Sequence, residues 1–136
     1  MIPYWKCMLV VAAATGLPPR VLPVIQSLEG GAPGMVHPNT NGTADLGVMQ
    51  VNTIWVPALA TRAGLTEEDT KNQLVNDPCF NIAAAALILR TYLNETNGAL
   101  LPAIGDYHSH TPALNSHYLA LAEQRARVMF ETGQAR

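Results

Sequence analysis

A mostly α-helical fold is what this sequence predicts, and three observations predict it. Apolar residues run in stretches of helical length, as in "CMLVVAAA" and "CFNIAAAALIL". Breakers stand between those stretches, among them Gly16, Pro18, Pro19, Gly64 and Pro112. No alternating apolar and polar run of convincing length argues for a strand, and there is no internal repeat.

The elements follow in order. A first helix begins near Pro3 and ends at Gly16. A second runs from about Pro19 to Glu29, with proline tolerated in its first turn. Residues 30–45 hold Gly, Pro, Asn and Thr with little apolar pattern, a loop long enough to be functional. The pattern then predicts a helix from about Leu46 to Ala63, closed by Gly64. Thr66 opens another, with Glu67 and Glu68 placed near the positive end of its dipole. Asp77 and Pro78 begin the longest helix, to about Asn94. Leu100–His108 and Pro112–Glu131 complete the series.

At 136 residues the chain is expected to form one domain spanning 1–136. A formal net charge of -2, with Lys and Arg scattered, argues against nucleic acid as a partner. No stretch reaches the ~20 apolar residues of a membrane span. The opening "MIPYWKCMLVVAAATG" imitates the charged and apolar regions of a signal peptide, but Pro3, Tyr4 and Trp5 precede Lys6 and the apolar run is short. Read as a helix, it implies that the true signal peptide has been cut away and that Met1 was added in its place. Cys7 and Cys79 are either two buried thiols or one disulfide, which would stabilise the fold by roughly 4 kcal/mol and mark an oxidising compartment. No histidine stands at metal-ligand spacing from either cysteine, so no metal site is expected.

Glu29 is the acid that stands out. Most other acids fall on polar helix faces or at helix ends. Glu29 follows Ile25 and Leu28 and faces a glycine-rich loop. A glutamate at the rim of an apolar face is partly desolvated, which favours the protonated form that a general acid needs. In "DLGVMQVN", residues 45–52, Gly47 permits close backbone approach and Met49 offers a soft apolar contact. Gln50 and Asn52 add neutral hydrogen bonds. Those are parts of a groove for an uncharged ligand rich in hydroxyls and amides. The plainer alternative makes Met49 simply core. Asp45 either caps the helix expected at Leu46 or serves as a second carboxylate.

Taken together, Glu29, "NGTADLGVMQVN", "DPCFNIAAAALIL", "GDYHSHTP" and Tyr118 resemble the lytic transglycosylases of the goose-type-lysozyme-like superfamily. The likeness is greatest to the small periplasmic enzymes of type III, type IV and conjugative secretion or pilus systems, and it covers about Cys7 to Val128. The resemblance implies a lysozyme-like fold with a glycan-binding cleft and Glu29 as the catalytic acid. It implies that Gly47, Met49 and Gln50 line the groove, that Tyr107 orients Glu29, and that Tyr118 supports the same wall. It joins Cys7 to Cys79 as a disulfide and places the protein in the periplasm.

Gly30 departs from the serine that usually follows the acid, which removes a hydroxyl from the groove. His108 stands where many relatives have asparagine and fits the secretion-associated group; as a catalytic base it is the sharper alternative. His37, His110 and His117 are expected to be surface or packing residues. The implied reaction cleaves peptidoglycan between N-acetylmuramic acid and N-acetylglucosamine, forms a 1,6-anhydro ring, and requires no metal or cofactor. A hydrolytic muramidase using Asp45, a non-catalytic wall-binding scaffold, and a helical interaction module unrelated to glycans are the alternatives.

Overall fold

Glycine ends the first helix where the sequence indicates. In the computed structural model, which describes residues 2–131, α1 spans Trp5–Thr15, and Gly16 takes a left-handed conformation, φ 69°, with its N–H on the Ala12 carbonyl. Helix α2 spans Val21–Glu29 and buries Val21 through Ile25. Three short strands follow: β1 (Val36–Pro38), β2 (Ala44–Leu46) and β3 (Val51–Asn52). They form an antiparallel sheet in the order β1-β2-β3, with Asp45 opposite both His37 and Asn52.

Helix α3 occupies Val56–Ala63 and is closed by Gly64. Helix α4 occupies Glu67–Asn76, and the Thr66 hydroxyl caps it by accepting from Asp69 N at 3.0 Å. Helix α5 runs Pro78–Glu95, with Asp77 Oδ1 accepting from Phe80 N at 3.1 Å, as a cap should. Helix α6 is Leu100–His108 and α7 is Pro112–Ala126, continued by a wider turn at Arg127–Glu131. The chain is mostly α-helical, as its sequence predicts.

The stretch expected to be helical from Leu46 is not. Leu46 ends β2, and α3 begins only at Val56. Two residues with positive φ, Gly47 (68°) and Gln50 (53°), turn the chain between β2 and β3, and a right-handed helix has no place for either. Asp45 therefore caps no helix. The loop before it is also tied down: Gly34 N donates to Val75 O at 2.7 Å and Gly47 N to Met35 O at 2.9 Å.

The chain divides into two compact units, Met1–Leu28 with Ala86–Arg136, and Glu29–Ala85. Buried side chains of the first include Met8, Leu22, Ile25, Leu89, Ala103 and Tyr118. Those of the second include Leu46, Val48, Met49, Val51, Leu74 and Ile82. Neither cysteine is free: Cys7 and Cys79 are disulfide-bonded, the mark of an oxidising compartment. No described helix is long and apolar enough to cross a membrane.

Candidate active site

Glu29 is half-buried and is the last residue of α2. Two residues earlier, Arg125 of α7 donates to the Ser27 carbonyl at 3.0 Å and also bonds the Ser27 hydroxyl. A cation on the last carbonyls of a helix complements its dipole, so the end of α2 is fixed. Gly30, at φ 66°, then stops the helix. The next residue, Gly31, lies backbone to backbone on the turn after β2. A Cβ placed there would stand 2.0 Å from the Gly47 carbonyl oxygen and 2.8 Å from that of Val48. No side chain fits at Gly31, whereas at Gly30 only the positive φ favours glycine.

The turn itself is built around Asn81, a residue of α5 that is fully buried. Its Oδ1 accepts from Met49 N at 2.8 Å, and its Nδ2 donates to the Leu46 and Leu74 carbonyls, each at 2.8 Å. Gly47 must be glycine twice over, because its φ is positive and a Cβ would lie 2.2 Å from Leu74 O. Gln50 closes the turn from the other side, donating Nε2 to the Gly47 carbonyl at 3.0 Å. Met49 is fully buried.

Asp45 sits half-buried in β2. Its Oδ1 accepts from Asn52 Nδ2 at 3.0 Å, and its Oδ2 lies 3.9 Å from His37 Nδ1. The same Asn52 amide donates to Thr43 Oγ1 at 3.1 Å, and its Oδ1 accepts from Ile54 N at 3.0 Å. Asn52 is thus a strut of the sheet, holding the Asp45 carboxylate in one orientation.

Glu29, Asp45, Gly47, Met49, Gln50 and Asn52 all belong to the second unit. Tyr107, His108 and Tyr118 belong to the first. There the exposed His108 ring stacks on the buried Tyr118, centroids 4.8 Å apart and planes within 4°. The corner between α6 and α7 is pinned by Asn115, which donates to Asp106 Oδ1 at 2.9 Å and to Ser109 O at 3.1 Å. Gly105 makes room for that amide, since a Cβ there would meet Asn115 Oδ1 at 2.1 Å. His110 packs against Tyr92 and lies 3.8 Å from both Glu95 and Asp106, the surface or packing role expected of it. Asn81, Gly31 and Arg125 went unread in the sequence. The signal for Asn81 was a single amide inside the apolar run "FNIAAAALIL".

The model of the Transglycosylase SLT domain matches residues 7–124, and the chain belongs to that family. Its members are lytic transglycosylases, lyases that act on peptidoglycan, with a lysozyme-like fold. The chain is also 33% identical over 79 residues to invasion protein IagB of Salmonella typhimurium, strains SL1344 and LT2, and of Salmonella typhi. That stretch is 58% of this chain and 46% of the relative, so the match spans about half the relatives' length.

Proposed function

We propose that this chain cleaves the β-1,4 bond between N-acetylmuramic acid and N-acetylglucosamine in peptidoglycan, leaving a 1,6-anhydro ring. One observation carries the reading: the backbone two residues past Glu29 packs on the turn that holds Gly47 and Gln50. A backbone packed just past Glu29 against the turn that carries Gln50 supports a site in which a carboxyl group and a neutral amide act together, as positioned acid catalysis requires.

The protonated Glu29 gives its proton to the glycosidic oxygen as the C1–O bond breaks, and the leaving N-acetylglucosamine departs as an alcohol. The substrate's own N-acetyl oxygen bonds to C1 and holds the positive centre. Glu29, now a carboxylate, takes the proton from the 6-hydroxyl. That oxygen attacks C1, displaces the N-acetyl oxygen and closes the ring. Glu29 ends protonated, and no water is consumed.

Gln50 offers its side-chain oxygen to a sugar amide, Gly47 lets the glycan approach the backbone, and Met49 supports the turn from beneath. The roles of Tyr107, His108 and Tyr118 rest on the family resemblance. The proposal extends to a periplasmic site of action and to local gaps made in the wall for a secretion or pilus apparatus, in keeping with relatives named invasion proteins.

A hydrolytic reading keeps one specific support. Asp45 caps nothing and is held by Asn52 with its carboxylate half-exposed, so it could serve as the second carboxylate that hydrolysis needs. Mass spectrometry of peptidoglycan digested by the protein and by Glu29→Gln separates the readings. Anhydro-muropeptides that disappear in the variant are the expected result. Products heavier by one water would move the case to hydrolysis, and no products from either protein would leave a wall-binding scaffold.

A further inference from the structure

Glycan chemistry leaves one apolar feature of the first unit unused. Helices α2, α6 and α7 border a half-open cavity of about 140 Å³, walled by Val24, Ile25, Ile104 and Ala122. Leu101, 51% exposed, stands among its lining residues, together with two charges of opposite sign, Arg20 and Glu123. No ion pair joins those two charges among the described residues. The Arg20 guanidinium lies 5.0 Å from the Phe130 ring centroid.

We propose that this cavity docks a segment of a partner protein through one large apolar side chain, flanked by an acidic residue for Arg20 and a basic residue for Glu123. The volume is of the size that takes a benzene-like group in an apolar protein cavity. A glycan does not fit the chemistry, because its hydroxyls and amides would lose water against the apolar side chains of Val24, Ile25, Ile104 and Ala122. An anionic lipid headgroup would gain from Arg20 but meet Glu123. A peptide carrying both signs satisfies both, and opposite charges around an apolar anchor set register and orientation. The inference is independent of the glycan reading, and failure of either leaves the other standing.

Panning a random peptide display library against the disulfide-bonded protein tests it. The expected selection is one Leu, Ile, Met or Phe with Asp or Glu on one side and Lys or Arg on the other. Ala122→Phe, which fills the cavity, should weaken those peptides by about tenfold or more. Because that variant could perturb packing, the exposed Arg20→Glu provides the second test: it should turn the acidic preference basic. Both variants should digest peptidoglycan like the parent. No enrichment, a charge preference unmoved by Arg20→Glu, or binding to phosphatidylglycerol vesicles that Ala122→Phe removes would each overturn the proposal.

Discussion

Asn81 holds Met49 by the backbone: its side-chain oxygen accepts the Met49 N–H at 2.8 Å, although the two residues lie 32 positions apart. With two further bonds to carbonyls, one buried amide fixes the turn that carries Gly47 and Gln50. Removing a partner from buried polar groups costs the desolvation of each group left behind. Asn81→Ala strands one N–H and two carbonyls, so a loss of about 2–4 kcal/mol is expected in urea unfolding. Peptidoglycan turnover should fall further than the unfolded fraction explains, because the turn loosens in molecules that remain folded. A shift in the urea midpoint of under about 0.5 kcal/mol equivalent would refute the assignment.

Gly30 and Gly47 share a conformation but not an environment, which separates two costs. A Cβ on Gly30 would meet nothing within 4 Å, so Gly30→Ala carries only the penalty of a left-handed alanine, about 1 kcal/mol. A Cβ on Gly47 would strike Leu74 O and Asn81 Nδ2 at 2.2 and 2.5 Å. Gly47→Ala should cost about 3 kcal/mol or more by thermal or denaturant unfolding. Gly30→Ser tests the missing hydroxyl at the same modest cost, because nothing lies within 4 Å of its Cβ.

These residues also explain what the sequence disclosed and what it hid. Helix α6 has the predicted bounds, Leu100–His108, and Gly16 and Gly64 close α1 and α3 as read, because a helix end is a local event. The turn after β2 is not local. "LGVMQVN" carries apolar residues at spacings compatible with a helix, and the strands beside it are too short to display an alternation. What decides the conformation is an amide three helices away in sequence. Glu29 stood out through its apolar neighbours, whereas the clamp on its helix comes from Arg125, 98 residues on from Ser27. Long-range hydrogen bonds of this kind leave only isolated polar residues as their trace.

The disulfide gives a prediction about stability alone. Cys7 and Cys79 close a long loop, and the chain-entropy account assigns such a cross-link roughly 4 kcal/mol. Reduction under native conditions, or Cys7→Ser with Cys79→Ser, should lower the unfolding free energy by about that amount. A reduced protein as stable as the oxidised one would contradict this.

Tyr92 supplies a pH dependence with a definite sign. Burial, then the carboxylates of Glu95 and Asp106, raise its phenol above the ordinary value of 10.0. The unfolded chain therefore loses this proton at lower pH than the folded one. The stability linked to it is fully present below pH 10.0 and is lost as pH rises through the folded value. Ultraviolet titration of the phenolates should show a component above pH 10.0 that is absent in Tyr92→Phe. That variant should also soften the alkaline fall in stability.

Asp45→Asn discriminates between the two catalytic schemes without disturbing the sheet. The Asn52 amide that donates to Asp45 Oδ1 finds an equivalent acceptor in an asparagine carbonyl. The contact to His37 is half solvated and long, and such pairs contribute little. Stability should stay within about 1 kcal/mol of the parent. If Glu29 serves alone as acid and base, turnover should remain within about tenfold and the products should still be anhydro sugars. A second carboxylate that activates water could not be replaced so cheaply: losing a general base costs about 10²–10⁴-fold. Retained anhydro products in Asp45→Asn, beside none in Glu29→Gln, would assign both proton transfers to one residue. A collapse in Asp45→Asn with the fold intact would assign the second step to Asp45, and the orienting bond from Asn52 would then become part of the catalytic apparatus.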